Sequence, residues 1–178
     1  MRNLPNDQAH RLWLIPMAAV LLSGCTQMGY NLGSMLPPEV KTVHVPTVLN
    51  NTEEPTVEIE VTRAVIEALQ LDGSLKIASR RDADSVLTIV LTDYRIVPVA
   101  FRRTGVSSTT TQEYRIFLTA SMVLIRTSDG SVVAESPRVR GDAIFEFQGD
   151  LTSSKRVGLP FAADDLSKDI VERVVEYW

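Results

Sequence analysis

Residues 113–127, EYRIFLTASMVLIRT, alternate with a period of two: Tyr114, Ile116, Leu118, Ala120, Met122 and Leu124 against Glu113, Arg115, Thr119 and Ser121. That period belongs to a β-strand with one side in a core and the other towards water. A strand this long cannot stand alone. Its backbone groups need neighbouring strands, and its apolar side needs a covering layer. Asp129-Gly130 follows as a tight-turn pair, and strand residues resume at Val132, so the chain folds back as a hairpin. Pro137 marks a bulge or an edge break, after which Val139, Ala143, Phe145 and Phe147 alternate with Arg140, Asp142 and Glu146. Upstream, 82–98 reads as a further strand, with Leu87, Ile89 and Leu91 on one side and Thr88, Thr92 and Tyr94 opposite. The first strand is VKTVHVPTV, 40–48, ended by Pro46.

Two segments carry helical punctuation. In 50–73, Asn50, Asn51 and Thr52 offer caps, Pro55 suits a first turn, and Glu53, Glu54 and Glu58 suit the positive end of a helix dipole. Gly73 suits the exit, and Val57, Val61, Val65, Ala68 and Leu69 form one apolar stripe. The β-branched residues near 57–61 also allow a strand there. The second helix is predicted over 159–178, with Leu166, Ile170, Val174 and Trp178 on one side, Val171 and Val175 beside them, and Asp164 and Asp165 in its first turn. Both stripes must be buried, and the apolar side of the sheet is the available surface. The expected fold is α+β: a mixed sheet of four to five strands with two amphipathic helices packed on one face. The other face is left free to be solvated or covered by a partner.

The N-terminus has a different character. Arg2 and Arg11 precede an apolar run from Leu12 to Leu22. The run is too short for a spanning helix, which needs about 20 residues, and has the length of a signal-peptide core. Ser23 and Gly24 then precede Cys25, the single cysteine of the chain. A lone cysteine could be a core residue, a reactive thiol, a metal ligand or a point of attachment. Leu22-Ser23-Gly24-Cys25 resembles the bacterial lipobox at every position, which selects attachment. In bacterial lipoproteins the cysteine is acylated, and the peptide before it is removed. Two or more acyl chains suffice for stable anchoring, at ~0.8 kcal/mol per buried methylene. The expected organisation is a signal peptide over 1–24, an acylated cysteine and tether over 25–39, and one domain over 40–178. Processing removes Arg2, Arg11 and Asp7, so the mature chain is one charge more negative than the −4 of the whole.

No pattern of residues carries catalysis. There is no glycine-rich phosphate loop, no Gly-x-Ser-x-Gly and no His-Glu-x-x-His. His44 is the one histidine left after processing, and it reads as a strand residue. Carboxylates alone leave a two-carboxylate hydrolase open, but nothing in their spacing favours one. We expect no enzyme, no cofactor and no metal. The acidic balance argues against a nucleic-acid partner. Local basic groups stand out instead: Arg102 and Arg103, Arg115, Arg138 and Arg140, and Lys155 with Arg156 in the loop before the last helix. Arginine holds phosphate through a bidentate fork, although a solvated surface charge is the commoner role of any one of them.

The segment GYNLGSMLPPEVKTVHVPTVLNNTEEP resembles the start of the lipopolysaccharide-assembly lipoproteins of the LptE family. Those motifs are Gly29-Tyr30-Asn31-Leu32, Leu36-Pro37, the strand Lys41 to Pro46, and Asn50 to Pro55. ADSVLTIVLTDY, 83–94, resembles the family's Ala-Asp strand ending in Tyr. One departure is that Thr26, Gln27 and Met28 separate Cys25 from Gly29, where many members join them directly. The resemblance implies an outer-membrane, lipid-anchored, periplasm-facing protein. It would plug and support the barrel of an LptD-like partner and bind lipopolysaccharide for insertion into the outer leaflet. Arg102 and Arg103, then Arg115 and Lys155, are the expected contacts to lipid phosphate. The rival readings are another periplasm-facing adaptor, such as a secretion pilotin or a cell-wall synthase activator, and a lipid-anchored hydrolase.

Overall fold

The computed structural model describes residues 36–103 and 109–176. Cys25, the tether to residue 35, and Trp178 lie outside the described residues. Six strands form one mixed sheet: β1 (Thr42–His44), β2 (Leu49–Asn50), β3 (Lys76–Ile77), β4 (Ser85–Arg103), β5 (Thr109–Arg126) and β6 (Val132–Glu146). Helix α1 (Val57–Asp72) lies between β2 and β3, and α2 (Leu151–Val175) ends the chain. The order across the sheet is β3-β1-β4-β5-β6, with β2 also on β4. β1 and β2 run parallel to β4, whereas β4, β5 and β6 are successive antiparallel hairpins. The α+β expectation holds with one or two more strands than expected. The extra ones are the two-residue pieces β2 and β3, too short to announce themselves by alternation.

The expected first strand is split. Pro46 has no N–H to give to a ladder, so pairing stops at His44↔Val86 and resumes at Leu49↔Val90. His44 sits in β1 with Nδ1 3.3 Å from the Ala78 carbonyl oxygen. The Lys41-Thr42 and Ala83-Asp84 pairs turn out to be two halves of one clamp. Asp84 Oδ2 accepts from the backbone N–H groups of Lys41 and Thr42 at 3.1 and 3.0 Å and from the Thr42 hydroxyl at 2.8 Å. These donors, the Thr42 hydroxyl first, hold the Asp84 carboxyl below the usual carboxylate range.

At 57–61 the helix prevails over the strand, because Val57, Val61, Ala64, Val65 and Leu69 then share one buried stripe. Its start differs from expectation. Asn50 does not cap the helix. Its Nδ2 donates to the Glu54 carbonyl and to Glu58 Oε2, both at 2.8 Å, and its Oδ1 accepts from Thr52 N–H at 2.9 Å. This organises the turn ahead of the helix, so Pro55 also precedes it. The N-cap is Thr56, in the left-handed region at φ 70° and without a side-chain cap bond. Gly73, at φ 77°, closes α1 by donating to the Leu69 carbonyl, as its position in the sequence implies.

Helix α2 begins at Leu151 rather than 159. Asp150 is the cap, accepting from Thr152 and Ser153 N–H at 3.2 and 2.7 Å. The interior Pro160 disguised the first turns as a loop, so Lys155 and Arg156 are helical. Asp164 and Asp165 therefore lie well inside α2 and do not face its dipole. Asp165 Oδ2 accepts from Asp142 N–H at 3.0 Å and Asp169 Oδ2 from Arg140 N–H at 3.3 Å. The helix is clipped by its carboxylates to the outer edge of β6. Contact there is close: a Cβ on Gly141 would lie 2.2 Å from Leu166 N.

Both helices cover the same face. Leu87, Ile89, Leu91, Ile116, Leu118, Met122 and Leu124 of the sheet bury against Val61, Val65 and Leu69 of α1 and Leu166, Ile170 and Val174 of α2. Each such side chain contributes roughly 1.5–3 kcal/mol relative to exposure.

Candidate functional site

One β-bulge decides what the free face of the sheet carries. The register of β4 on β5 shifts between Leu91 and Asp93. An extra residue in a strand inverts the side-chain phase beyond it. Odd positions of β4 face the helices up to Leu91; from Tyr94 to Pro98, where the register shifts again, even positions do. Tyr94, expected opposite Leu91, thus packs against the core, and Arg95 is turned to the free face. The shift at Pro137, between Ala120/Met122 in the pairing with β5, does the same for Arg140.

The register then places Arg95, Phe117 and Asp142 side by side on β4, β5 and β6. The adjoining rows are Asp93, Thr119, Arg140 and Val97, Arg115, Ile144. The guanidinium carbons of Arg95 and Arg115 lie 5.4 and 5.9 Å from the Phe117 ring centroid, within cation–π range. Arg138 and Arg140 complete a depression of about 180 Å³ with Arg95, Phe117 and Asp142. Asp142 is the one carboxylate in it. Its Oδ2 is 3.6 Å from Arg115 Nε, too far for a hydrogen bond, and that Nε has no other partner. Among the described residues Arg95, Arg138 and Arg140 make no ion pair. The patch holds more positive charge than it neutralises, on an acidic chain. The face around it is mixed, with Ile144, 49% exposed, and Val97 on one side and Asp93 and Thr119 on the other.

Of the four residues expected to contact lipid phosphate, Arg115 belongs to this patch, as do Arg138 and Arg140, read from the sequence as a local basic group. Arg102 and Arg103 lie at the far end of the β4–β5 hairpin, paired with Thr110 and Thr109. Thr110 is five positions from Arg115 along β5, roughly 17 Å at strand rise. Lys155 is elsewhere and engaged: its Nζ is 2.5 Å from Glu54 Oε1. That pair lies at a hollow of about 270 Å³ shared with Tyr94. Burial, and secondarily the Glu54 charge, pushes the Tyr94 hydroxyl up to about 12. The four residues therefore do not form one site. Arg95 was missed because its phase depends on the bulge, and no residue type announces a bulge at Thr92. Among the described residues no group of His, Cys, Asp and Glu could hold a metal, and no helix is long and apolar enough to cross a membrane.

Comparison with known proteins places this geometry. The fold is similar to that of a candidate lipoprotein from Caulobacter crescentus CB15, with a TM-score of 0.54 and 10% identity over 78% of this chain and 92% of that one. It is also similar to a protein from Xanthomonas campestris, with a TM-score of 0.52 and 13% identity over 80% and 87% of the two chains. At such identities the likeness concerns the fold alone. No curated protein matches the sequence. The family model described as LptE, lipopolysaccharide-assembly, matches residues 40–176. That span takes in every strand and both helices, and the chain belongs to the LptE lipopolysaccharide-assembly family.

Proposed function

We propose that this protein is the lipoprotein subunit of an outer-membrane lipopolysaccharide translocon, anchored through acylated Cys25 and facing the periplasm. In this reading it plugs and supports an LptD-like β-barrel and receives lipopolysaccharide before insertion into the outer leaflet. The family match supports the pathway. The observation that carries the binding role is the free sheet face, where Arg95, Arg115 and Arg140 surround Phe117 and the Nε of Arg115 makes no hydrogen bond. Guanidinium forks suit phosphate oxygens, and the exposed Ile144 in the next row suits an acyl chain. Arg102 and Arg103 stand at the end of the same hairpin. The protein positions its ligand and performs no chemistry on it.

Affinity purification from detergent-solubilised outer membrane tests the reading. A large β-barrel should come down with the protein. Recovery of a cell-wall synthase or a secretin in its place would assign the chain to a different adaptor role. In the purified domain, Arg102→Gln/Arg103→Gln should weaken lipopolysaccharide binding; unchanged binding would remove those two residues from the contact set.

A further inference from the structure

We infer that the groove between the C-terminal halves of α1 and α2 is a docking site for a basic amphipathic helix of a protein partner. It stands apart from the sheet face and does not depend on lipopolysaccharide binding. The two helices run side by side in the same direction. Glu54, just ahead of α1, meets Lys155 in the first turns of α2, and Arg63 meets Asp164 at 3.8 Å midway. Beyond that point the helices leave a groove of about 470 Å³ floored by the small or apolar side chains of Ala64, Ala68 and Val171. Leu71 stands at its mouth, 88% exposed.

The charges on its rim run against helix physics. Parallel helices bring two negative dipole ends together, where basic residues would be favourable. α1 has no basic residue in its last turn and ends on Asp72. In α2 the last turn holds Glu172 beside Arg173, which is turned to Asp169 at 3.2 Å, and Glu176 is the C-cap. Asp72, Glu172 and Glu176 make no ion pair among the described residues, and Lys168 is the one basic residue lining the groove. Asp72 also accepts from Ser74 N–H at 3.0 Å, a local role that leaves its charge unneutralised. These carboxylates repel an anionic lipid headgroup. They fit lysine and arginine side chains, which lay their methylenes on an apolar floor and carry their charge to the rim. An amphipathic helix seated in a groove meets both demands.

The test uses the processed full-length protein and two synthetic 18-residue amphipathic peptides, one of Leu and Lys, the other of Leu and Glu, measured by fluorescence anisotropy. The Leu–Lys peptide should bind and the Leu–Glu peptide should not. Glu172→Lys/Glu176→Lys should weaken Leu–Lys binding at least tenfold while raising the melting temperature, since it removes charges opposing the α2 dipole. Glu135→Lys/Glu146→Lys makes the same charge change on β6 and should leave peptide binding unchanged. Equal loss in both variants, or no loss in the first, overturns the proposal. A photo-crosslinker replacing Leu71 in living cells supplies the second readout. Adducts to a basic helical segment of another protein support the site; adducts to residues 26–35 of this chain or to a second copy overturn it.

Discussion

The arginine patch on the free face of the sheet and the groove of the helix layer lie on opposite sides of one core, and they carry opposite charges. The sheet face gathers Arg95, Arg115, Arg138 and Arg140 around one phenylalanine. The groove gathers Asp72, Glu172 and Glu176 around small apolar residues. A net charge of −4 describes neither. The two proposed contacts, to an anionic lipid and to a basic helix, therefore fall on opposite sides and do not compete.

The comparison breaks most severely if α2 loses its seat, because α2 forms one wall of the groove and clips the strand that carries Arg138, Arg140 and Asp142. Gly141→Ala sets a methyl group against the backbone of Leu166, which cannot move aside as a flexible side chain would. The expected loss of stability is about 1–3 kcal/mol or more, read as a lowered urea midpoint. A parental midpoint would show that the helix can lift without cost. The next effect is on binding. Arg95→Glu/Arg140→Glu should weaken association with lipopolysaccharide at least tenfold and flatten its salt dependence, while Lys168→Glu in the groove should change neither. Similar losses from both variants would mean that net charge, and not the patch, governs binding.

The smallest effect concerns the partly buried phenol of Tyr94, beside the Glu54–Lys155 pair and away from both regions. Tyr94 has its ionisation pushed up to about 12 from 10, so folding favours its protonated form. The stability this contributes is full below pH 10 and is lost as the pH rises towards about 12. Tyr94→Phe should remove that alkaline decline from a plot of melting temperature against pH. An unchanged decline would place the phenol in water.

How much of this was readable beforehand follows from what each signal depends on. The hairpins, the core side of β5 and the stripe of α1 follow from period and turn residues, which are local. The α+β architecture follows in turn, since two apolar stripes and one apolar sheet side have few ways to meet. The candidate site was half legible. Arg115 has a phase fixed by a long regular strand, so its place on the free face could be read. Arg95 could not, because one extra residue at Thr92 inverts its direction, and only pairing with β5 shows it. The start of α2 was hidden by Pro160, whose cost is met by tertiary packing that sequence does not display, including Gly158 against Phe145. Asp164 and Asp165 were assigned to a dipole because their partners across the fold were invisible.

The clip between α2 and β6 has one more consequence. β6 is the last strand of the sheet, and an unpaired edge is a template for any extended chain. Here the N–H groups of Arg140 and Asp142 are already taken by Asp169 and Asp165, and Pro137 offers none. A partner cannot lengthen the sheet by adding a strand along this stretch, nor can two copies zip together there. The same two carboxylates that hold a helix in place thus close this stretch of the β6 edge to strand addition.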